Sequence, residues 1–173
     1  EIARNDGQLV EQTWLAHEGV GGQIKLDEPF LVVAQHPVTT EYGQGERQIT
    51  ETLMAIHALK MPTIMHWPNA DGGSEDVARG MRKFRDRYHH DYIRFYKNFP
   101  VETFMRLMRQ CACMIGNSSA AIRESAFLGV PAVNVGTRQK GRERGGNVID
   151  VGYDSQEILE AVQMQIRNGR YAP

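Results

Sequence analysis

The chain is 173 residues long, 41% hydrophobic and 24% charged, with a formal net charge of −1. That length suits one soluble domain able to bury roughly 70% of the surface its unfolded chain exposes. The charge balance gives no global field for nucleic acid or an anionic membrane, so any anion site must be local. No apolar run approaches a membrane span, and the polar start, Glu1 to Gln8, is not a signal peptide. Cys111 and Cys113 are too close for an ordinary disulfide and lack the partners of a zinc site, so a cytoplasmic setting is expected.

Residues 1–28 read as an N-terminal segment, helical around Leu9 to His17 and joined by Gly19, Gly21 and Gly22 to the first strand. From residue 29 to 173 apolar runs alternate with amphipathic stretches, which predicts an α/β domain on a mainly parallel sheet. Phe30 to Gln35 is a buried strand. Gln48 to Leu59 carries Ile49, Leu53, Ile56 and Leu59 on a helical stripe, and Thr63 to Trp67 is a second strand. Ser74 to Tyr88 is a charged helix with Val77, Met81 and Phe84 on its apolar side. Asp91 to Lys97 is a third strand and Val101 to Cys111 a helix with Pro100 at its start. A short strand, Cys113 to Gly116, precedes a helix from Ala120 to Phe127, closed by Gly129 and blocked by Pro131. Ala132 to Val135 and Val148 to Val151 are further strands, and Gln156 to Ile166 is the last helix. The opening Glu1 and the closing Ala172-Pro173 read as cuts through a longer chain.

In open parallel sheets a ligand sits beyond the carboxyl ends of the strands. The loop Gly116-Asn117-Ser118-Ser119 is the foremost candidate there. Glycine permits close backbone approach, and small polar residues opening a helix present amides and a positive dipole to an anion. The same residues are also ordinary helix caps, and on their own they leave both readings open. No Walker A or Gly-x-Gly-x-x-Gly fingerprint is present. Glu124, five residues into the helix from Ser119, stands about 7–8 Å along its axis and could accept hydrogen bonds from a ribose; a solvated charge paired with Arg123 is the alternative. Residues 137–147 hold four cations among eleven positions, either a diphosphate clamp or a mobile solvated loop. His36 ends the first strand and can contact phosphate or shuttle a proton. His57, His66 and His89-His90 are read as structural.

The segments HPVTTEYGQ, WPNADGGSED, FPVETFMRLM and CMIGNSSAAIRESAFLGVPAVNVGTRQKGRERGGNVIDV resemble, in this order, the C-terminal domain of the hydrolysing UDP-N-acetylglucosamine 2-epimerases. The resemblance spans nearly all of residues 28–166; non-hydrolysing relatives usually carry a Ser-Gly-Gly loop instead. It implies a Rossmann-like three-layer domain, one half of a glycosyltransferase-B-like fold. Ser118 and Ser119, assisted by Asn117, His36 and Arg138, would hold the diphosphate of a UDP-sugar. Glu124 would bind the ribose, Asn69 would line the cleft, and the backbone around Lys97 to Phe99 would read the uracil. The implied reaction eliminates UDP to a 2-acetamidoglucal, then hydrates it to N-acetylmannosamine without metal or redox cofactor. The acid/base carboxylates of such enzymes belong to an N-terminal domain for which this sequence has no counterpart. These residues alone are therefore expected to bind nucleotide without turnover, and the full-length protein is expected to be a homo-oligomer. A donor domain of a glycosyltransferase and a noncatalytic nucleotide-binding module are the competing readings.

Overall fold

A computed structural model describes residues 12–68 and 70–172 of the chain. In order the elements are α1 (Gln12–His17), β1 (Val20–Gly21), β2 (Leu31–Ala34), α2 (Gly45–Leu59), β3 (Thr63–His66), α3 (Ser74–Arg87), β4 (Ile93–Tyr96), α4 (Val101–Gln110), β5 (Cys113–Gly116), α5 (Arg123–Leu128), β6 (Ala132–Val135), β7 (Val148–Val151) and α6 (Ser155–Asn168). Short 3-10 turns cover Thr39–Glu41 and Ser119–Ala121. The strands form one sheet in the order β1-β4-β3-β2-β5-β6-β7. Every pairing is parallel except that of β1 with β4.

Strand side chains alternate between faces, and here both faces are apolar. Leu31, Val33, Met65, Ile93, Phe95, Ile115, Val133 and Val135 pack with Ile49, Leu53 and Ile56 of α2, Val77, Met81 and Phe84 of α3, and Ile158 and Val162 of α6. Val32, Ala34, Ile64, Tyr96, Met114 and Ala132 face the other way, onto Leu15 of α1 and Leu107 and Met108 of α4. Helices thus cover both faces of a mainly parallel sheet, the three-layer α/β domain expected from the alternating pattern.

Three differences from the expected elements have local causes. Val20 and Gly21 add to β4 as an antiparallel edge strand where a plain linker is expected. The backbones approach too closely for a side chain: a Cβ on Gly22 would lie 1.6 Å from the Asp91 carbonyl oxygen. Arg94 then staples this segment down, donating to the carbonyls of Ala16, Glu18, Gly19, Gly21 and Gly22. The second helix begins at Gly45, three residues before the expected Gln48, and there Gly45 packs closely against Asp76 and Val77 of α3. The third difference is the expected helix from Ala120 to Phe127, which divides into a 3-10 turn and a six-residue α5. Ser118 and Ser119 carbonyls accept bonds three residues on, from the Ala121 and Ile122 amides, which tightens the entry turn. Gly129 closes α5 in the left-handed region at φ 63°, as its position suggests.

Candidate functional site

Chain order and sheet order diverge at β2. From β2 the chain runs outward through β3 and β4, then returns to the other side of β2 as β5. The crevice between the carboxyl ends of β2 and β5 is thus the topological switch point, where open α/β sheets bind ligands. The ends are level: Ala34 pairs with both His66 and Gly116, His66 with Tyr96, and Gly116 with Asn134. The loops leaving these five strands therefore open on one edge.

Across the crevice Asn117 grips the backbone of His36. Its Oδ1 accepts from the His36 amide at 2.7 Å and its Nδ2 donates to the His36 carbonyl at 2.8 Å. Asn117 is 1% exposed, so this side chain builds the wall of the site, with both of its polar atoms engaged with the His36 backbone. Gly116 makes the approach possible. Its φ is 127°, and a Cβ there would sit 2.2 Å from the Ala34 carbonyl oxygen. That same carbonyl accepts from the Asn117 and Ser118 amides. Ser118 Oγ accepts from the Ala120 amide at 3.4 Å, a capping bond. Ser119 opens the turn, and its amide has no intrahelical acceptor to meet. The cap and the anion-site readings of this loop thus divide between neighbouring serines: Ser118 caps, while Ser119 is half-buried at the rim.

His36 is 7% exposed, and its Nδ1 is buried without a hydrogen-bond partner. Burial, then the Arg138 charge and the neighbouring His66, lower its pKa from 6.5 to about 4, against a small opposing effect of Asp71. The ring is neutral at pH 7. His66 lies 6.0 Å from it, ring centre to ring centre, and stacks on Phe99 at 5.7 Å. Phe99 in turn packs against Tyr96 and Phe104. His66, read from sequence as structural, therefore links the His36 corner to the loop after β4. Its place at the end of β3, level with Ala34, is the signal that could have found it.

The 137–147 loop is tied to the rest of the domain at several points. Gln139 Nε2 and Arg138 Nη1 both donate to the Asn117 carbonyl, at 2.8 and 3.2 Å. Arg144 pairs with Asp150 at 2.7 Å and donates to the Arg142 and Gln139 carbonyls. Arg144 is therefore spent within the loop, while Arg138 and Lys140 border a cleft of about 790 Å³. Thr39, Thr40, Glu41, Asp71 and Thr137 complete its polar lining. Glu41 has no counterpart among the sequence candidates. It accepts from Tyr153 Oη at 2.8 Å and also from Thr137 Oγ1 and Gln48 Nε2. Burial pushes its carboxyl up, but the bonds from Thr137, Tyr153 and Gln48 and the Arg47 charge outweigh that and hold it below the usual range.

Ser118, Ser119, His36 and Arg138 are thus brought to one corner, with Asn117 behind them. Glu124 lies apart, in the first turn of α5, where it shares a shallow hollow of about 240 Å³ with Met105, Arg123 and Phe127. Glu124 is half-buried, and its Oε2 is buried without a hydrogen-bond partner. Asn69 lies outside the described residues. Among the described residues no group of three or more His, Cys, Asp or Glu side chains could hold a metal ion, and no helix is long and apolar enough to cross a membrane. Both cysteines are buried, with Cys111 pushed up to about 12 and Cys113 well above its ordinary value by desolvation.

Comparison with known proteins identifies the family. The family model described as UDP-N-acetylglucosamine 2-epimerase matches residues 7–172. A UDP-N-acetylglucosamine 2-epimerase of Neisseria meningitidis is 32% identical over 144 residues, 83% of this chain and 37% of that protein. A GDP/UDP-N,N'-diacetylbacillosamine 2-epimerase (hydrolyzing) of Campylobacter jejuni is 30% identical over 129 residues, 74% of this chain and 33% of its own length. The chain thus spans about a third of the length of the curated relatives it matches. In fold it is similar to the UDP-GlcNAc 2-epimerase of Methanocaldococcus jannaschii solved in complex with UDP-GlcNAc and UDP. The TM-score is 0.64 at 14% identity, covering 98% of this chain and 45% of that one. With nearly its whole length under one family model and its polar loops gathered at the switch point of an α/β sheet, the chain belongs to the UDP-N-acetylglucosamine 2-epimerase family.

Proposed function

We propose that this chain is the UDP-holding unit of a 2-epimerase of the hydrolysing kind, acting on a UDP-linked 2-acetamido sugar. The observation that carries the proposal is the switch-point corner, where the unpartnered His36 Nδ1, the Ser119 turn and Arg138 converge. Ser119 and Arg138 contact the diphosphate, and Ser118 keeps the turn in shape. Glu124 takes the ribose hydroxyls on its free oxygen, and the loop around Lys97 to Phe99 receives the base. Asn117 serves indirectly, by fixing the His36 backbone. The hydrolysing assignment draws on the GNSS and GTRQ segments and on the hydrolysing Campylobacter relative.

In the proposed reaction a base removes the C2 proton while the C1–O bond breaks. UDP leaves with the bonding pair, and a water then adds across the resulting double bond. Negative charge grows on the departing diphosphate. Donors already aimed at that position stabilise it without reorganising, an effect worth several kcal/mol in comparable sites. His36 is neutral before UDP binds; an arriving phosphate favours its protonation and gains a second charge-assisted donor. The carboxylates that move the C2 proton are assigned to the rest of the protein.

Calorimetric titration of the chain with UDP, GDP and NAD tests the proposal. Selective UDP binding, abolished in Ser119→Ala plus Arg138→Ala, is expected, with no sugar released from UDP-N-acetylglucosamine until an N-terminal domain is supplied. Equal affinity for all three nucleotides, or sugar release by the chain alone, would overturn it.

A further inference from the structure

A carboxylate bordering a cleft that receives a diphosphate should weaken binding, since like charges a few ångströms apart repel. Glu41 is such a carboxylate, and it borders the same cleft as Arg138. Its oxygens, however, are occupied by three donors from three parts of the fold: Thr137 in the loop after β6, Tyr153 after β7, and Gln48 in α2. Thr137 directly precedes Arg138. Tyr153 lies beneath the same turn, where a Cβ on Gly136 would meet its ring at 2.2 Å. The Arg47 guanidinium covers the Tyr153 ring at 5.8 Å. Glu41 thus joins the loop after β2, which includes His36, to the turn that launches Arg138.

We propose that Glu41 is a positioning residue that locks the Gly136–Thr137 turn so that Arg138 is held facing the diphosphate. The inference rests on the proposed UDP site. Arg138 is otherwise exposed and, among the described residues, donates one hydrogen bond of 3.2 Å, to the Asn117 carbonyl. A long exposed side chain loses much rotamer freedom on binding, and fixing its backbone in advance removes part of that cost. The carboxylate's repulsion is spread over its donors, while its grip on Thr137 sets the aim of the cation.

The two effects predict opposite signs. If Glu41 merely neighbours the site, Glu41→Gln removes a negative charge and UDP binds more tightly. If it positions Arg138, Glu41→Gln weakens UDP by about tenfold, since one charge-assisted acceptor site is lost. Thr137→Val, which leaves Glu41 and its other bonds in place, weakens UDP by about fivefold on the same reasoning. In an Arg138→Ala background Glu41→Gln changes UDP affinity by less than about twofold, because the residues act as one unit. Tighter or unchanged binding in Glu41→Gln, or full additivity with Arg138→Ala, overturns the proposal. A wild-type chain that binds no UDP refutes the nucleotide site instead. Hydrogen exchange of the 136–141 amides then still decides the latch: Glu41→Gln speeds it about tenfold if the latch exists, and unchanged exchange sinks it.

Discussion

Replacing Asn117 by leucine removes the bridge that holds the two sides of the switch-point crevice together. The side chain keeps its approximate volume, so packing changes little and the polar effect dominates. Two buried hydrogen bonds, of 2.7 and 2.8 Å, disappear, and the His36 amide and carbonyl lose their partners. Each orphaned buried group costs about 1–3 kcal/mol. At about 1.5 kcal/mol for each group, in the lower half of that range, about 3 kcal/mol for the pair is expected. For a chain of this length that lowers the melting temperature by roughly 6–12 °C. Urea denaturation followed by circular dichroism measures the free energy, with an unchanged slope showing that the denatured state is unaltered. UDP affinity should fall in the same variant, because His36 no longer has a fixed backbone. A loss below about 1 kcal/mol would refute the bridge as an element of stability, and full UDP affinity in the folded variant would refute its link to the site.

Three further outcomes are expected from the same geometry. Gly116→Ala forces a side chain into a φ of 127° and against the Ala34 carbonyl, and should cost about 3 kcal/mol or more in a thermal melt. The His36 pKa, lowered from 6.5 to about 4, makes the unfolded chain the better proton acceptor, so its contribution is complete above pH 6.5 and fades as pH falls towards 4. The full effect is about 3 kcal/mol, and His36→Gln should flatten most of that slope in melts taken between pH 7 and pH 4. Cys111 and Cys113, buried and with raised pKa values, should resist a thiol reagent in the native protein and react promptly in urea; rapid native labelling would show that this part of the core opens.

How far the sequence discloses this molecule depends on how local each cause is. The strands Cys113–Gly116, Ala132–Val135 and Val148–Val151 match their expected bounds, because short β-branched or apolar runs between turn residues are set by their own composition. The loop after β5 was legible through the rule that ligands lie beyond parallel strand ends. What it does was less so: that Ser118 caps and Asn117 holds His36, 81 residues away, depends on β2 and β5 becoming neighbours. The two-residue β1 carries no periodicity to detect and exists only because β4 offers an edge. Glu41 was silent for the same reason. Its partners Thr137 and Tyr153 lie 96 and 112 residues away, and a carboxylate among threonines reads locally as loop polarity. The distinction between Arg138 and Arg144 was also hidden, since four cations in eleven positions look alike until Asp150 claims one.

The sheet's two borders bear on how the molecule behaves when crowded. An open strand edge is a template on which another chain can pair, and long flat apolar edges promote aggregation. One border here is β1, only two residues long and half glycine. The other, β7, displays Asp150 engaged with Arg144, so a newcomer laying itself alongside would have to disturb a charged pair. The fully buried apolar strands, β2 above all, lie in the interior, flanked on both sides. The same arrangement that centres the crevice thus keeps the stickiest backbone away from any exposed margin.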